Sequence, residues 1–139
     1  MEIEASNNNN AYWPVISNIT LVRAAGTVTE GGSSAAEYDA IQFKKQGNGD
    51  FTNVVISGYT TANSTAVRIQ DAATNTDQVN ANKIKLTTVK INDGTSQYLG
   101  AGALSVTFPT GQYTTSASAT GADISTGVWA TVNGTNLAP

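Results

Sequence analysis

The chain has 139 residues, a net charge of −3 and only 12% charged residues, about half the usual share. Seven cations set among ten carboxylates provide no basic face, which argues against a nucleic-acid partner. The absence of cysteine and histidine removes disulfides, thiolate nucleophiles, Cys or His metal ligands and Ser-His-Asp triads.

No apolar run approaches the ~18 residues of a membrane span, so no membrane insertion is expected. The first four residues are acidic and lack the basic n-region of a signal peptide. Met1 reads as an added start, either artificial or on a fragment of a longer secreted chain. Ser, Thr, Asn and Gly occupy the surface positions that Lys and Glu usually fill. That composition points to an extracellular or bacterial cell-surface location.

Residues 1–12 are mostly polar, with the run Asn7-Asn8-Asn9-Asn10, and read as a tail or an edge segment. From there a pattern of apolar-x-polar-apolar-x-apolar recurs three times at a constant spacing of 35 residues. The copies run from Ile16 to Leu21, Phe51 to Ile56 and Leu86 to Ile91. A fixed period in this range marks a solenoid, where each repeat buries its apolar face by stacking on the next. Period-2 alternation puts Ile19 and Leu21, Val54 and Ile56, and Val89 and Ile91 on one inward face. Asn18 and Asn53 share a repeat position, and Thr88 replaces Asn in the third copy. Two readings stand for that column: an amide ladder running between coils, or a residue that favours a turn.

Each opening strand is followed by a second one. The pattern small-apolar-polar-apolar-polar places these at Ala40–Lys44, Ala66–Gln70 and Ala103–Thr107. Turn signals lie at Gln46-Gly47-Asn48-Gly49-Asp50 and Asn92-Asp93-Gly94. No segment shows sustained helical periodicity. The expected fold is all-β, a right-handed parallel β-helix of about three coils. It spans residues 13–108, with the polar segment 1–12 before it and a capping segment, 109–139, after it.

The run from Trp13 to Leu21, read as W-P-V-I-S-N-I-T-L, resembles the entry of β-helical surface proteins secreted by Bacteroidetes, flavobacteria above all. Gly49 to Gly58 and Ala66 to Ile69 look like the following coil. The resemblance covers roughly residues 12–71 well and the rest loosely. It implies the C-terminal part of a longer right-handed parallel β-helix at the cell surface, and it implies no particular activity.

Candidate chemistry is sparse. Parallel β-helices often host polysaccharide lyases, which use a Lys or Arg base beside Ca²⁺ held by Asp. Here the outward positions align Gln42, Arg68 and Ser105, then Lys44, Gln70 and Thr107, and set Lys45 against Asp71. A cluster of Arg68, Lys44 and Asp71 is one possibility, and a solvated face with a salt bridge is the other. Gly47 to Asp50 lacks the alternating acids of an EF-hand loop. Among the aromatics, Trp13 and Trp129 read as caps over the first and last coils. Tyr59 and Tyr98 read as loop residues able to stack on sugar. A flat Thr array for ice binding needs Thr-x-Thr in register. The triplets at Thr27 and Thr74 do not keep the period.

The expected function is a non-enzymatic structural or binding segment of a surface protein, adhesive or glycan-binding, with no cofactor and no metal. Its expected ligand-binding residues are Tyr59, Tyr98, Arg68 and Lys44, and its expected partner is a polysaccharide. The alternative is a lyase-like module lacking some of its site. Uncapped ends would add end-to-end self-association or further coils of a longer chain.

Overall fold

The computed structural model describes residues 1–5, 13–23, 39–60, 64–123, 131–132 and 135–136. Eight strands alternate between two parallel sheets. They are β1 (Glu2–Glu4), β2 (Val15–Val22), β3 (Ile41–Lys44), β4 (Gly49–Ser57), β5 (Thr65–Ile69), β6 (Ile84–Ile91), β7 (Ser96–Gly100) and β8 (Tyr113–Thr115). Sheet A has the order β1-β3-β5-β7 and sheet B the order β2-β4-β6-β8. Every consecutive pair of strands thus spans the two sheets, and every neighbour within a sheet is one coil away. That is a right-handed parallel β-helix, the hand that parallel crossovers take almost without exception. A short antiparallel pair, β9 (Thr131–Val132) and β10 (Thr135–Asn136), follows.

The 35-residue period is the register itself. Ile19 faces Val54, which faces Val89, and Leu21, Ile56 and Ile91 form the next column. Val54, Ile56 and Val89 are fully buried, while Ile19, Leu21 and Ile91 pack against the core from the ends. Burying each such side chain stabilises by roughly 1.5–3 kcal/mol. The two sheets meet where the Phe43 ring on β3 packs edge-on against Phe51 on β4, with centroids 5.6 Å apart.

The second strands of the first two coils lie where the pattern predicts. The third does not. It is β7, Ser96–Gly100, and Ala103–Thr107 forms no strand. The turn after β6 takes only residues 92–95, which brings Ser96 straight into register with Thr65. Tyr98 points inward and Leu99 outward, 44% exposed. An exposed leucine breaks the binary pattern of β7, whereas residues 103–107 carry that pattern outside the sheet. Leu104 and Val106 still pack against the core. The outward column is therefore Gln42, Arg68 and Leu99, not Ser105.

A helical turn also appears where no periodicity announces one. Asp71 caps Ala72–Thr74 by accepting the Thr74 N–H at 2.8 Å, and the chain runs on through a π-helical stretch, Asn75–Val79. Eight residues are too few to show a 3.6-residue period, and the capping Asp is their main local signal. The stretch buries Gln78 and Val79 completely. Gln78 accepts from the Asn48 carboxamide at 2.8 Å and donates to Gln46 at 3.0 Å, so a polar bridge crosses from one turn to the next inside the wall.

Candidate functional site

The outer face of sheet B is built around one repeated corner. Asn18, Asn53 and Thr88 each adopt the left-handed conformation, with φ of 58°, 58° and 57°. Asn enters this region more readily than most residues, and Thr does so at a cost. Both readings of the asparagine column hold together. The residues turn the chain, and the Asn53 carboxamide donates to Asn18 Oδ1 at 2.8 Å. In the third coil the Thr88 N–H donates instead to Thr114 Oγ1 at 3.1 Å.

Beyond the corner the face is covered. Residues 116–123 leave β8 and cross back over β4 and β2 as a strap. Asn53 Oδ1 accepts the N–H groups of Thr120 at 2.8 Å and Gly121 at 3.1 Å. Thr20 Oγ1 accepts the Ala122 N–H at 3.0 Å. Gly121, at φ 66°, lies so close that a Cβ there would collide with Thr20 Oγ1. Val55 is buried beneath it.

Before the corner the face is open. Ser17 pairs with Thr52 and Thr52 with Thr87, and Thr114 of β8 stands opposite Thr87 and Thr88, where the register between β6 and β8 slips by one residue. Ser17, Thr52 and Thr114 are exposed and Thr87 half-buried. The Thr52 and Thr87 hydroxyls are 3.1 Å apart. The result is a hydroxyl ridge whose steps are the strand spacing of about 4.8 Å. Beside it runs the column Val15, Asp50 and Lys85. With one hydroxyl column, the face is not the two-dimensional Thr array of an ice-binding surface. Thr74 lies in the helical turn, and the triplet at Thr27 lies outside the described residues.

The charged candidates do not converge. Arg68 grips Asp39 through Nε and Nη2 at 3.0 and 3.1 Å, and the two side chains are only 14% and 5% exposed. Asp39 also accepts the Thr65 N–H at 2.9 Å. Lys44 pairs with Glu2 at 2.9 Å and Glu4 at 3.6 Å across the first rung of sheet A. Lys45 does meet Asp71, but through its backbone N–H, at 2.9 Å. Asp93 has the same role at another corner, accepting the Gly58 N–H of the preceding coil and, at 2.6 Å, the Thr95 hydroxyl. Three aspartates thus lace turns of adjacent coils. Burial works to raise the Asp71 and Asp93 carboxyls, and the converging N–H and O–H donors outweigh it, so both sit below the usual carboxylate range. The hydrogen bond from Lys45 lowers Glu4 as well, against a smaller effect of burial. Among the described residues, no three carboxylates gather into a group fit to hold a metal ion.

A family model described as a pectate-lyase-like β-helix domain matches residues 1–134. The chain belongs to that family. No curated protein and no solved structure matches it.

Within this pectate-lyase-like domain the aromatic candidates sit deeper than the sequence implies. Tyr98 is a strand residue of β7 and not a loop residue. Its ring packs edge-on against Phe108 and Tyr113, with centroids 4.9 and 5.0 Å away. Burial, with Tyr98 adding to it, pushes the Tyr113 phenol far up. Tyr59 follows Gly58 at the end of β4 and packs against the core. Burial raises its phenol pKa and Arg23 works the other way. Trp13 precedes β2 at the first rung and is 44% exposed. Trp129 lies outside the described residues. The hydroxyl ridge and the strap were missed. A Ser/Thr at the position before the corner in each repeat is the signal that points to the ridge.

Proposed function

We propose that this pectate-lyase-like β-helix is a non-enzymatic structural and binding segment of a bacterial surface protein that holds a polysaccharide along the open half of sheet B. The observation that supports it most is the ridge of Ser17, Thr52 and Thr87, with Thr114 beside its end. Sugar hydroxyls both donate and accept, and so do Ser and Thr. A row of them at strand spacing offers repeated bonds to an extended glycan. The Asp50 and Lys85 column beside it adds charged hydrogen bonds, the stronger kind. The engagement of Arg68, Lys44 and Asp71 in bonds between coils supports a non-catalytic reading, because a base tied to a buried carboxylate is poorly placed to take a proton from substrate. The low-charge, Ser/Thr/Asn-rich surface and the resemblance of residues 12–71 to Bacteroidetes surface proteins support the location.

Affinity electrophoresis through pectin, alginate and xylan tests the reading, with unsaturated product followed by ultraviolet absorbance with and without Ca²⁺. The expected result is retardation in at least one gel, lost in Thr52→Val/Thr87→Val, and no product. Product formation that survives the double variant and disappears in Arg68→Met would make the chain a lyase module. Free migration in every gel would refute the binding role.

A further inference from the structure

The last rung of sheet B is half a rung. β8 pairs with β6 at Leu86–Tyr113 and Val89–Thr115, and Ser116 gives its N–H to Val89 at 2.9 Å before the chain turns out into the strap. Lys90 and Ile91 pair with Val55 and Ile56 of β4 on one side. On the other side, among the described residues, no strand lies beside them. The gap is a cleft of about 450 Å³, within the range of binding pockets. Its floor is Val89, Lys90 and Ile91. Thr115 to Ala117 form one wall, and Gly94, Thr95 and Gln97 the other.

The floor specifies its occupant. Val89 and Ile91 are inward positions. Ile91 ends the Leu21–Ile56–Ile91 column and is partly exposed, whereas Ile56 beneath it is fully buried. Lys90 faces outward and, among the described residues, is the only charged side chain lining the cleft. Among the described residues no carboxylate pairs with it. A strand laid parallel to β6 stacks like on like, as the other rungs do. Thr115 already lies over Val89, so the added strand would set an acid over Lys90 and an apolar residue over Ile91, while its backbone takes up the edge that β8 leaves open.

We propose that this cleft binds an extended peptide of alternating apolar and acidic residues, which completes the missing half-rung by β-augmentation. The occupant is a peptide, because the open feature is a strand edge and only a backbone meets its N–H and C=O groups in register.

The full chain is titrated with an acetylated, amidated pentapeptide of alternating valine and glutamate, and amide NMR shifts are followed. The expected result is saturable shifts confined to residues 89–97 and 115–117. The valine–lysine peptide is expected to bind about tenfold more weakly, the size of one charged hydrogen bond, and Lys90→Glu to reverse that preference. Lys90→Gln, with an unchanged melting temperature, should bind both peptides equally. Absence of saturable shifts, equal binding of both peptides by the parent chain, or undiminished binding of an N-methylated pentapeptide would overturn the proposal. So would two other outcomes: saturation of the same residues by an oligogalacturonate but not by the peptide, or a self-association of the chain that Lys90→Glu abolishes.

Discussion

Asn53 and Asn18 are joined by a 2.8 Å hydrogen bond between coils, and the same Asn53 carboxamide holds the strap through Thr120 and Gly121. One side chain therefore turns its own strand, ties two coils and anchors a segment 67 residues away.

Asn53→Ala removes all three contributions at once. It leaves the Thr120 and Gly121 N–H groups without their acceptor and puts a Cβ-bearing residue with no compensating bond into the left-handed region. The expected loss is about 2–4 kcal/mol, summing unsatisfied donors and backbone strain. Asn53→Gly relieves the strain alone and should lose about 1 kcal/mol less. Urea unfolding of the three proteins checks the order. Equal losses for Ala and Gly would show that the left-handed turn contributes nothing.

Gly121→Ala should act locally. The added Cβ meets Thr20 Oγ1, the Ile19 carbonyl and Val55 Cγ2, and the backbone there is left-handed, where Ala is strained. The strap is expected to lift while the two sheets stay intact. Hydrogen exchange is the measurement: the Thr120, Gly121 and Ala122 amides lose protection and those of Val54 and Val89 keep it. Protection that survives at residues 120–122 would mean the strap is held by something other than this close fit.

The corner column, the inward columns and the repeat were legible because each depends on residues one period apart. β7 was not, because Leu99 sits outward and hides the alternation. The strap was not, because its contact with Asn53 is long-range and leaves no local pattern in the run Ser116-Ala117-Ser118-Ala119-Thr120. The amides of Gln46, Asn48 and Gln78 were illegible for a related reason. Polar residues read as surface, yet Asn48 and Gln78 are buried and satisfied by each other. Arg68 and Lys44 were legible as outward positions. Their commitment to Asp39 and to Glu2 and Glu4 depends on partners in other coils.

Acid should unlace the turns. Asp71 and Asp93 have folded values below their ordinary 3.8. The sign follows from linkage: the unfolded chain takes up these protons first. Their contribution is therefore complete above the unfolded value and is lost as pH falls through the lower folded value. The melting temperature is expected to drop steeply below about pH 4. Asp71→Asn and Asp93→Asn should each lower it at pH 7 and flatten the acid limb. An acid limb as steep in the double variant as in the parent would assign the effect to other carboxylates.

The Arg68–Asp39 pair decides between a structural and a catalytic arginine. Both side chains are largely withdrawn from water, and the guanidinium also reaches the Gly100 carbonyl at 3.3 Å. Asp39→Ala leaves a buried cation uncompensated and takes an acceptor from the Thr65 N–H, so a loss of about 3–5 kcal/mol is expected. Replacing both partners, Asp39→Leu with Arg68→Met, removes the charge altogether and should recover most of it, since a well-packed apolar pair is often as stable as a buried ion pair. A double-mutant cycle by urea unfolding measures the coupling. A strong positive coupling, together with unchanged retardation of the double variant in polysaccharide gels, is the outcome for an arginine whose work is to hold coils together. If Arg68→Met alone costs little stability but abolishes retardation, the guanidinium faces ligand and the pairing with Asp39 is secondary.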